Sequence, residues 1–543
     1  MMHIFSPRSL RICGYILTLF TLVLFLAGCN MPRQQGPFVA PSEFEPTTTP
    51  NWAATIEAAP TITASPTPKI PVEEHTLTEQ PTATAEIVEP SPTPQPTIGN
   101  TPTVSVNTGP ILYYTQSGDT LDALAVRFGV TVDEIDTTGT LPDRGFINPN
   151  QLLIIPRNIG NTTSPMHLLP DSEFVYTLSA LDFNVVNFVS QAGGYLKNFH
   201  EYLGTHGETY GGDIVEQIAL DNSVSPKLLL ALLEYQSGWV YGQPANLADQ
   251  DYPLGEISLS KKGLLRQLKW AVNELSVGYY GWREGRLSEI QFSDGVLTRL
   301  APDLNAGTAA LQYYFSKVYD SQGWLAAMDP ETGFPAFYEQ MFGNPWTRAQ
   351  VVEPLFPPDL VQPDLVMPFL VGRSWSYTGG PHGAFEKDGS WAAIDFAPAT
   401  TVSGCYDSDA WVTASGDGVI SRSERGIVVL DLDGDGFEQT GWALIYLHIA
   451  DEGRTGAGRL VKKGDLLGHP SCEGGFATGT HVHMARKYNG EWMQADGPIP
   501  FVLSGWTVHS TGVRYKGSLT RDGEVVTASQ YGAHQSLIER DRE

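Results

Sequence analysis

The spacing of apolar residues changes character twice along this chain. Between residues 112 and 156, Leu121, Leu124, Ala125 and Phe128 recur at helical intervals. A short strand precedes them. Gly129 follows at a helix C-terminal position that needs positive φ. INPNQLLIIP reads as a returning strand, so this stretch predicts a small β-α-α-β module with its second helix after Val130. From 167 to 355 the three-to-four spacing dominates. SPKLLLALLEYQSGW begins a helix with Ser225 as N-cap and Pro226 at the first helical position. KKGLLRQLKWAVNEL and NAGTAALQYYFSKVY are further helices, which predicts an all-α middle domain. From 366 to 507 the pattern becomes strands of five to eight residues between Gly and Asp turns, as in GIVVLDLDGDG, GWALIYLHI and THVHMARKYNGEW. That predicts a mainly antiparallel β domain, with 508–543 as a C-terminal extension. A chain of 543 residues is too long for one core, so a multidomain protein is expected.

The first 110 residues follow none of these patterns. Arg8 and Arg11 precede the apolar run YILTLFTLVLFLA, which is short for a membrane-spanning helix. The run ends in Leu26-Ala27-Gly28-Cys29, which resembles the bacterial lipoprotein cleavage box. That resemblance implies removal of a signal peptide of residues 1–28 and lipidation of Cys29. The chain would then be tethered at the extracellular face of the bacterial membrane and reach into the cell wall. An uncleaved anchor helix is the other reading of the same residues. Residues 31–110 hold 16 Pro and 16 Thr. Such a segment buries no core, so 29–110 is expected to be a disordered linker. In a polyproline II conformation it would reach on the order of 250 Å.

Charge and histidine placement narrow the chemistry. A formal net charge of −27 argues against a nucleic-acid partner, which needs clustered Lys and Arg. His382, Asp395, His448, His481 and His483 fit a single zinc site. In a strand, His481 and His483 face the same side and enter one cleft. A catalytic zinc takes three protein ligands drawn from His and carboxylate and keeps one position open. Three of the five can fill that role, which leaves two histidines as proton handlers for metal-assisted hydrolysis.

Three stretches carry family resemblances. YYTQSGDTLDALAVRFGVTVDEI with INPNQLLIIP looks like a LysM module, although Thr137-Thr138-Gly139 stands where that family has Asn after its second helix. The resemblance implies binding of N-acetylglucosamine-containing glycans such as peptidoglycan. LLLALLEYQSGW and LNAGTAALQ resemble helices of lysozyme-like lytic transglycosylases. That family has Glu-Ser-Gly where this chain has Gln236-Ser237-Gly238, and Gln has no proton to give a glycosidic oxygen. Glu234, two positions earlier, points about 200° away around a helix. A lysozyme-like fold without that chemistry is therefore expected, and a helical spacer is the alternative. Residues 366–507 resemble the lysostaphin and LytM class of zinc metallopeptidases. The TGGPH lead-in and the 13-residue step from His382 to Asp395 match its β-lytic branch. Position by position, the resemblance implies His382, Asp395 and His483 as zinc ligands and His448 and His481 as the catalytic pair.

Nearby residues add less. Once Cys29 is accounted for, Cys405 and Cys472 remain in the exported part. An oxidising compartment predicts a disulfide between them, with two free thiols as the other outcome. His469 reads as a loop histidine. Asp431, Asp433 and Asp435 read as a hairpin turn, because Trp442 occupies the twelfth position of an EF-hand count. The sum is a lipid-anchored, wall-targeted zinc endopeptidase acting on peptidoglycan stems or cross-bridges. A non-enzymatic wall-binding lipoprotein that recruits other hydrolases is the alternative.

Overall fold

The computed structural model describes residues 109–204 and 207–542. The leader, Cys29 and nearly all of the Pro/Thr-rich linker lie outside them. Among the described residues, no helix is long and apolar enough to cross a membrane.

The first module runs β1 (Ile111–Tyr114), α1 (Leu121–Phe128), β2 (Asp136–Thr137) and β3 (Leu152–Ile155), with β3 paired to both other strands. Thr120 caps α1 by accepting the amide of Ala123, and Gly129 closes it at φ 65°. The expected second helix is only a 3₁₀ turn, Val132–Glu134. Thr131 and Glu134 form a reciprocal capping box around it. The chain then extends immediately, because the Asp136 and Thr137 backbones pair with Ile154 and Leu153. One turn is too short to sustain an α-helix against that competition.

The middle domain is mainly helical rather than all-α. Its main helices are α2 (Gly211–Asn222), α3 (Pro226–Ser237), α4 (Leu264–Arg283) and α5 (Ala306–Val318). Two short antiparallel hairpins, His200–Leu203 with Gly207–Tyr210 and Glu289–Gln291 with Leu297–Arg299, interrupt them. Pro226 opens α3, yet Ser225 makes no side-chain cap bond and its buried hydroxyl has no partner.

The third domain is built on a nine-stranded sheet. Its strands are β4 (Ser374–His382), β5 (Ala393–Pro398), β6 (Gly418–Glu424), β7 (Gly426–Asp431), β8 (Trp442–Ile449), β9 (Leu460–Val461), β10 (Val482–Tyr488) and β11 (Glu491–Trp492). Strands β12 (Val502–Leu503), β13 (Trp506–Ser510), β14 (Gly517–Arg521) and β15 (Glu524–Thr527) form a second sheet. The last strand, β16 (Leu537–Glu539), returns to the large sheet beside β4. The large sheet runs β9-β6-β7-β8-β10-β5-β4-β16, with β11 on β10. Residues beyond Thr507 thus supply four of these strands or parts of them, and are woven into the domain.

Period-two alternation divides the large sheet between two cores. Val428, Leu430, Leu444, Tyr446 and Met484 face the sheet's own core with Phe396 and Phe501. Ile427, Val429, Ala443, Ile445, Leu447 and Ala485 face the other way, into one continuous core with α2, α3, α4 and α5. The helical domain is therefore packed on the sheet.

Buried charges stitch the modules together. Arg283 contacts Glu491 at 3.0 Å and Asp171 at 2.7 Å, and donates to the Ser117 carbonyl of the first module. Arg422 joins Asp221 to Glu438, each at 2.7 Å, and Lys487 adds a second contact to Glu438 at 2.7 Å. Burial alone would raise the Glu438 carboxyl. The charges of Arg422 and Lys487 outweigh it and hold the group down at about 2. Arg127 of α1 pairs with Asp119 at 2.8 Å, lies over the Trp282 ring and donates to the Trp282 carbonyl at 3.0 Å. The first module is docked on the helical domain.

Candidate metal centre

His483 on β10 stands directly opposite Asp395 on β5, and Asp395 opposite Gly379 on β4. Neighbouring strands lie less than 5 Å apart, so a β4 side chain at position 379 would collide with the carboxylate. A Cβ on Gly379 would come within 2.3 Å of Asp395 Oδ2. That explains the first glycine of the TGGPH lead-in. Gly379→Ala is expected to displace Asp395 and weaken metal affinity at least tenfold while the chain stays folded. Competition with a chromophoric chelator measures it, and unchanged affinity would contradict this account of the glycine.

Three ligand atoms converge. His382 Nε2 lies 3.3 Å and His483 Nδ1 3.2 Å from Asp395 Oδ1. The two nitrogens are 3.0 Å apart. The protons are assigned from the other ring nitrogens. His382 Nδ1 donates to the Gly380 carbonyl at 2.8 Å, and His483 Nε2 donates to the Ala384 carbonyl at 2.8 Å. The converging nitrogens are then unprotonated, so their 3.0 Å approach is not a hydrogen bond. Asp395 Oδ1 is buried and has no hydrogen-bond partner. Three lone pairs aimed at one another are repulsive unless a cation sits among them. The group His382, Asp395, His483 could therefore hold a metal ion.

The other two histidines flank this group. His481 Nε2 lies 3.8 Å from Asp395 Oδ1, and its Nδ1 donates to the Gly479 carbonyl at 2.7 Å. His448 Nδ1 donates to the Glu473 carbonyl at 2.8 Å, and its ring centroid is 4.5 Å from that of His481. Both therefore carry an unprotonated Nε2. Burial pushes the His448 imidazole down to about 3.

His448 reaches the group through a β-bulge. Leu447 pairs with Ile427, but Ile449 pairs with Gly426, so His448 is the extra residue between. Leu447 faces the helical core and Ile449 the opposite core. The bulge turns the imidazole onto the ligand side, with His448 at φ 63°. That left-handed conformation is rare for a non-glycine residue and typical of functional positions.

Tyr515 is a site residue that the sequence pattern missed. It comes from the stretch read as an extension, yet its ring stacks on His382 with centroids 4.2 Å apart. Its backbone is pinned on both sides, donating to the Pro381 carbonyl and accepting from the Gly380 amide. Burial, then the Asp395 charge, raises its phenol, which keeps it a proton donor. A strand-like pattern in 506–527 was the available signal.

Cys405 and Cys472 are joined in a disulfide. It ties the loop whose Gly404 carbonyl accepts from Thr480 to the loop that holds His448 through Ser471 and Glu473. His469 donates to the Ala410 carbonyl and packs against the tilted Trp411 ring. Asp431 ends β7 and Asp433 and Asp435 follow in the β7–β8 connection, where Asp431 accepts the Asp433 and Gly436 amides. In α3, Glu234 Oε2 accepts the amides of Val240 at 2.7 Å and Tyr241 at 2.9 Å, while Gln236 donates to Tyr314 at 2.8 Å.

Comparison with known proteins agrees with this architecture. The family described as LysM domain matches residues 113–156. The family described as LasA, N-terminal domain, matches residues 167–355. Protease LasA of Pseudomonas aeruginosa is 28% identical over 365 residues, covering 62% of this chain and 78% of that protein. The beta-lytic metalloendopeptidase of Achromobacter lyticus is 26% identical over 165 residues, covering 29% of this chain and 41% of the relative. Among solved structures, the M23 metalloprotease pseudoalterin from the deep sea is 23% identical, with 31% of this chain and 96% of that one covered at a TM-score of 0.27. Taken together, the LysM match and the sequence similarity to a protease and a metalloendopeptidase support a metallopeptidase that carries a LysM module.

Proposed function

We propose that this chain is a zinc metalloendopeptidase that hydrolyses peptide bonds in the stems or cross-bridges of peptidoglycan. We place it on a lipid anchor at Cys29, on the extracellular face of a bacterial membrane. The observation that carries the reading is the convergence of three ligand atoms, from His382, Asp395 and His483, on a buried site. The relatives' names, a protease and a metalloendopeptidase, agree with it, and the LysM match supports peptidoglycan as the polymer gripped.

In this reading His382, Asp395 and His483 hold zinc, which would supply a Lewis acid and acidify a water molecule at neutral pH. His448 and His481 provide bare Nε2 atoms beside that site. One takes a proton from the attacking water and returns it to the leaving amine, while the bare Nε2 of the other accepts a hydrogen bond from that water. Tyr515, stacked on His382, offers a hydroxyl that can donate to the developing negative charge. Zinc needs its ligand nitrogens in fixed tautomers, and the Gly380 and Ala384 carbonyls supply that constraint. The helical domain is read as free of glycosidase chemistry. Glu234 is committed to two backbone amides, and Gln236 has no acidic proton. Anchor and LysM module together would keep the cleft close to its polymer.

The test is metal content with and without a chelator. About one zinc per chain is expected, and the stripped protein should no longer release peptides from purified peptidoglycan until zinc is restored. Full activity after verified removal of metal would overturn the proposal.

A further inference from the structure

The β4–β5 connection, residues 383–391, lies between the metal centre and the helical domain. On one side the Ala384 carbonyl accepts the proton of His483 Nε2 at 2.8 Å. This bond fixes which ring nitrogen of His483 is free to bind metal. On the other side the loop is fastened to α4 and the residues just after it. The Asp388 amide donates to Asn273 Oδ1 at 3.1 Å. Ser390 Oγ donates to Glu284 Oε1 at 3.1 Å, and Arg286 Nη2 donates to the Gly389 carbonyl at 3.1 Å. Gly389 lies so close to α4 that a Cβ there would come within 3.0 Å of Ser276 Cβ. The loop is closed on itself by the Ala384 amide donating to the Ser390 carbonyl at 3.0 Å. Ser390, the residue held by Glu284, is therefore bonded directly to Ala384, the residue that orients His483. Ala384 is itself buried within the helical domain's core cluster. Within its own domain the loop has one side-chain clamp, Arg514 on Asp388 and the Lys387 carbonyl.

We propose that the helical domain is a working part of the metal centre, with Asn273, Glu284 and Arg286 as positioning residues that set the His483 imidazole through the 383–391 loop. The inference rests on the zinc reading above and deepens it. Partners that orient a ligand histidine change metal affinity about 10- to 100-fold when removed. Here those partners are anchored in a different domain, so metal affinity is coupled to interdomain packing. A helical domain that merely covers the sheet would weaken the fold when cut at this loop but leave the affinity of the folded protein alone.

The test uses the full chain and two probes, zinc with a competing chelator and Co(II) with its visible absorption spectrum. Glu284→Ala and Asn273→Ala should each weaken zinc binding about tenfold, and together up to about 100-fold, with a shifted Co(II) spectrum. Glu284→Gln keeps an acceptor for Ser390 Oγ and should restore affinity to within about threefold of wild type. Ser390→Ala cuts the same bond from the loop side and should reproduce Glu284→Ala without altering α4. Asp221→Asn weakens the same interface at another point and should leave affinity unchanged. Wild-type affinity and spectrum in Glu284→Ala, Asn273→Ala and Ser390→Ala would overturn the proposal. An equal loss in Asp221→Asn would overturn it too, by showing a general effect of interface damage. A wild-type chain that binds neither zinc nor Co(II) would instead overturn the zinc reading on which it rests.

Discussion

His481→Ala is expected to keep its zinc and lose peptide-bond hydrolysis by about 10²- to 10⁴-fold, the usual contribution of a positioned acid or base. The geometry separates it from its neighbour two residues on. His483 Nδ1 lies 3.2 Å from Asp395 Oδ1, within the converging triad, while His481 Nε2 is 3.8 Å away and lies beside His448. Removing His483 opens the ligand set, so His483→Ala should fail to retain metal. Removing His481 leaves His382, Asp395 and His483 with their backbone partners intact. His448→Ala should resemble His481→Ala, because its Nε2 is also unprotonated and outside the triad. Metal analysis beside turnover makes the distinction. Equal metal loss in His481→Ala and His483→Ala would contradict the division of roles.

Arg283→Met should be the most damaging substitution away from the metal centre. Arg283 is buried where three modules meet, bonded to Glu491, Asp171 and the Ser117 carbonyl. Removing one partner of a buried ionic cluster leaves the others uncompensated and costs about 3–5 kcal/mol. Burial raises the Glu491 carboxyl to about 7 even though Arg283 beside it acts in the opposite sense. Without Arg283 it should rise further. A carboxyl whose folded pKa exceeds its unfolded value destabilises the fold as pH rises from the unfolded value through the folded one. The cost of Arg283→Met should therefore be smaller near pH 5 and grow toward pH 8. Denaturant unfolding of both chains at the two pH values measures this. A cost below about 1 kcal/mol at pH 8, or one that shrinks with rising pH, would contradict the account. Adding Glu491→Gln to Arg283→Met should remove most of the pH dependence.

What the sequence revealed and what it hid divide along physical lines. Gly129 in the left-handed region, Pro226 at a helix start and the alternation in β8 and β10 are local signals, and each has its expected place. Grouping His382, Asp395 and His483 depended on a recognisable spacing that the strand pairing then explains. The bulge at His448 was not legible. It depends on Gly426, more than twenty residues earlier, pairing with Ile449 in place of His448. Tyr515 was missed because a turn residue in an apparent tail carries no sign of the histidine it stacks on. The second helix of the first module stops at one turn because strand pairing with β3 claims the residues that follow it. The docking of the helical domain was hidden too. Alternating apolar residues on both faces of β7 and β8 show that the sheet is covered twice, but not by what.

The measurement closest to the central claim is mass analysis of fragments released from purified peptidoglycan by the zinc-loaded chain. New peptide termini are expected, with no anhydro-sugar or reducing glycan ends, and His481→Ala should abolish them. New glycan ends without peptide cleavage, or peptide cleavage undiminished in His481→Ala, would contradict the account.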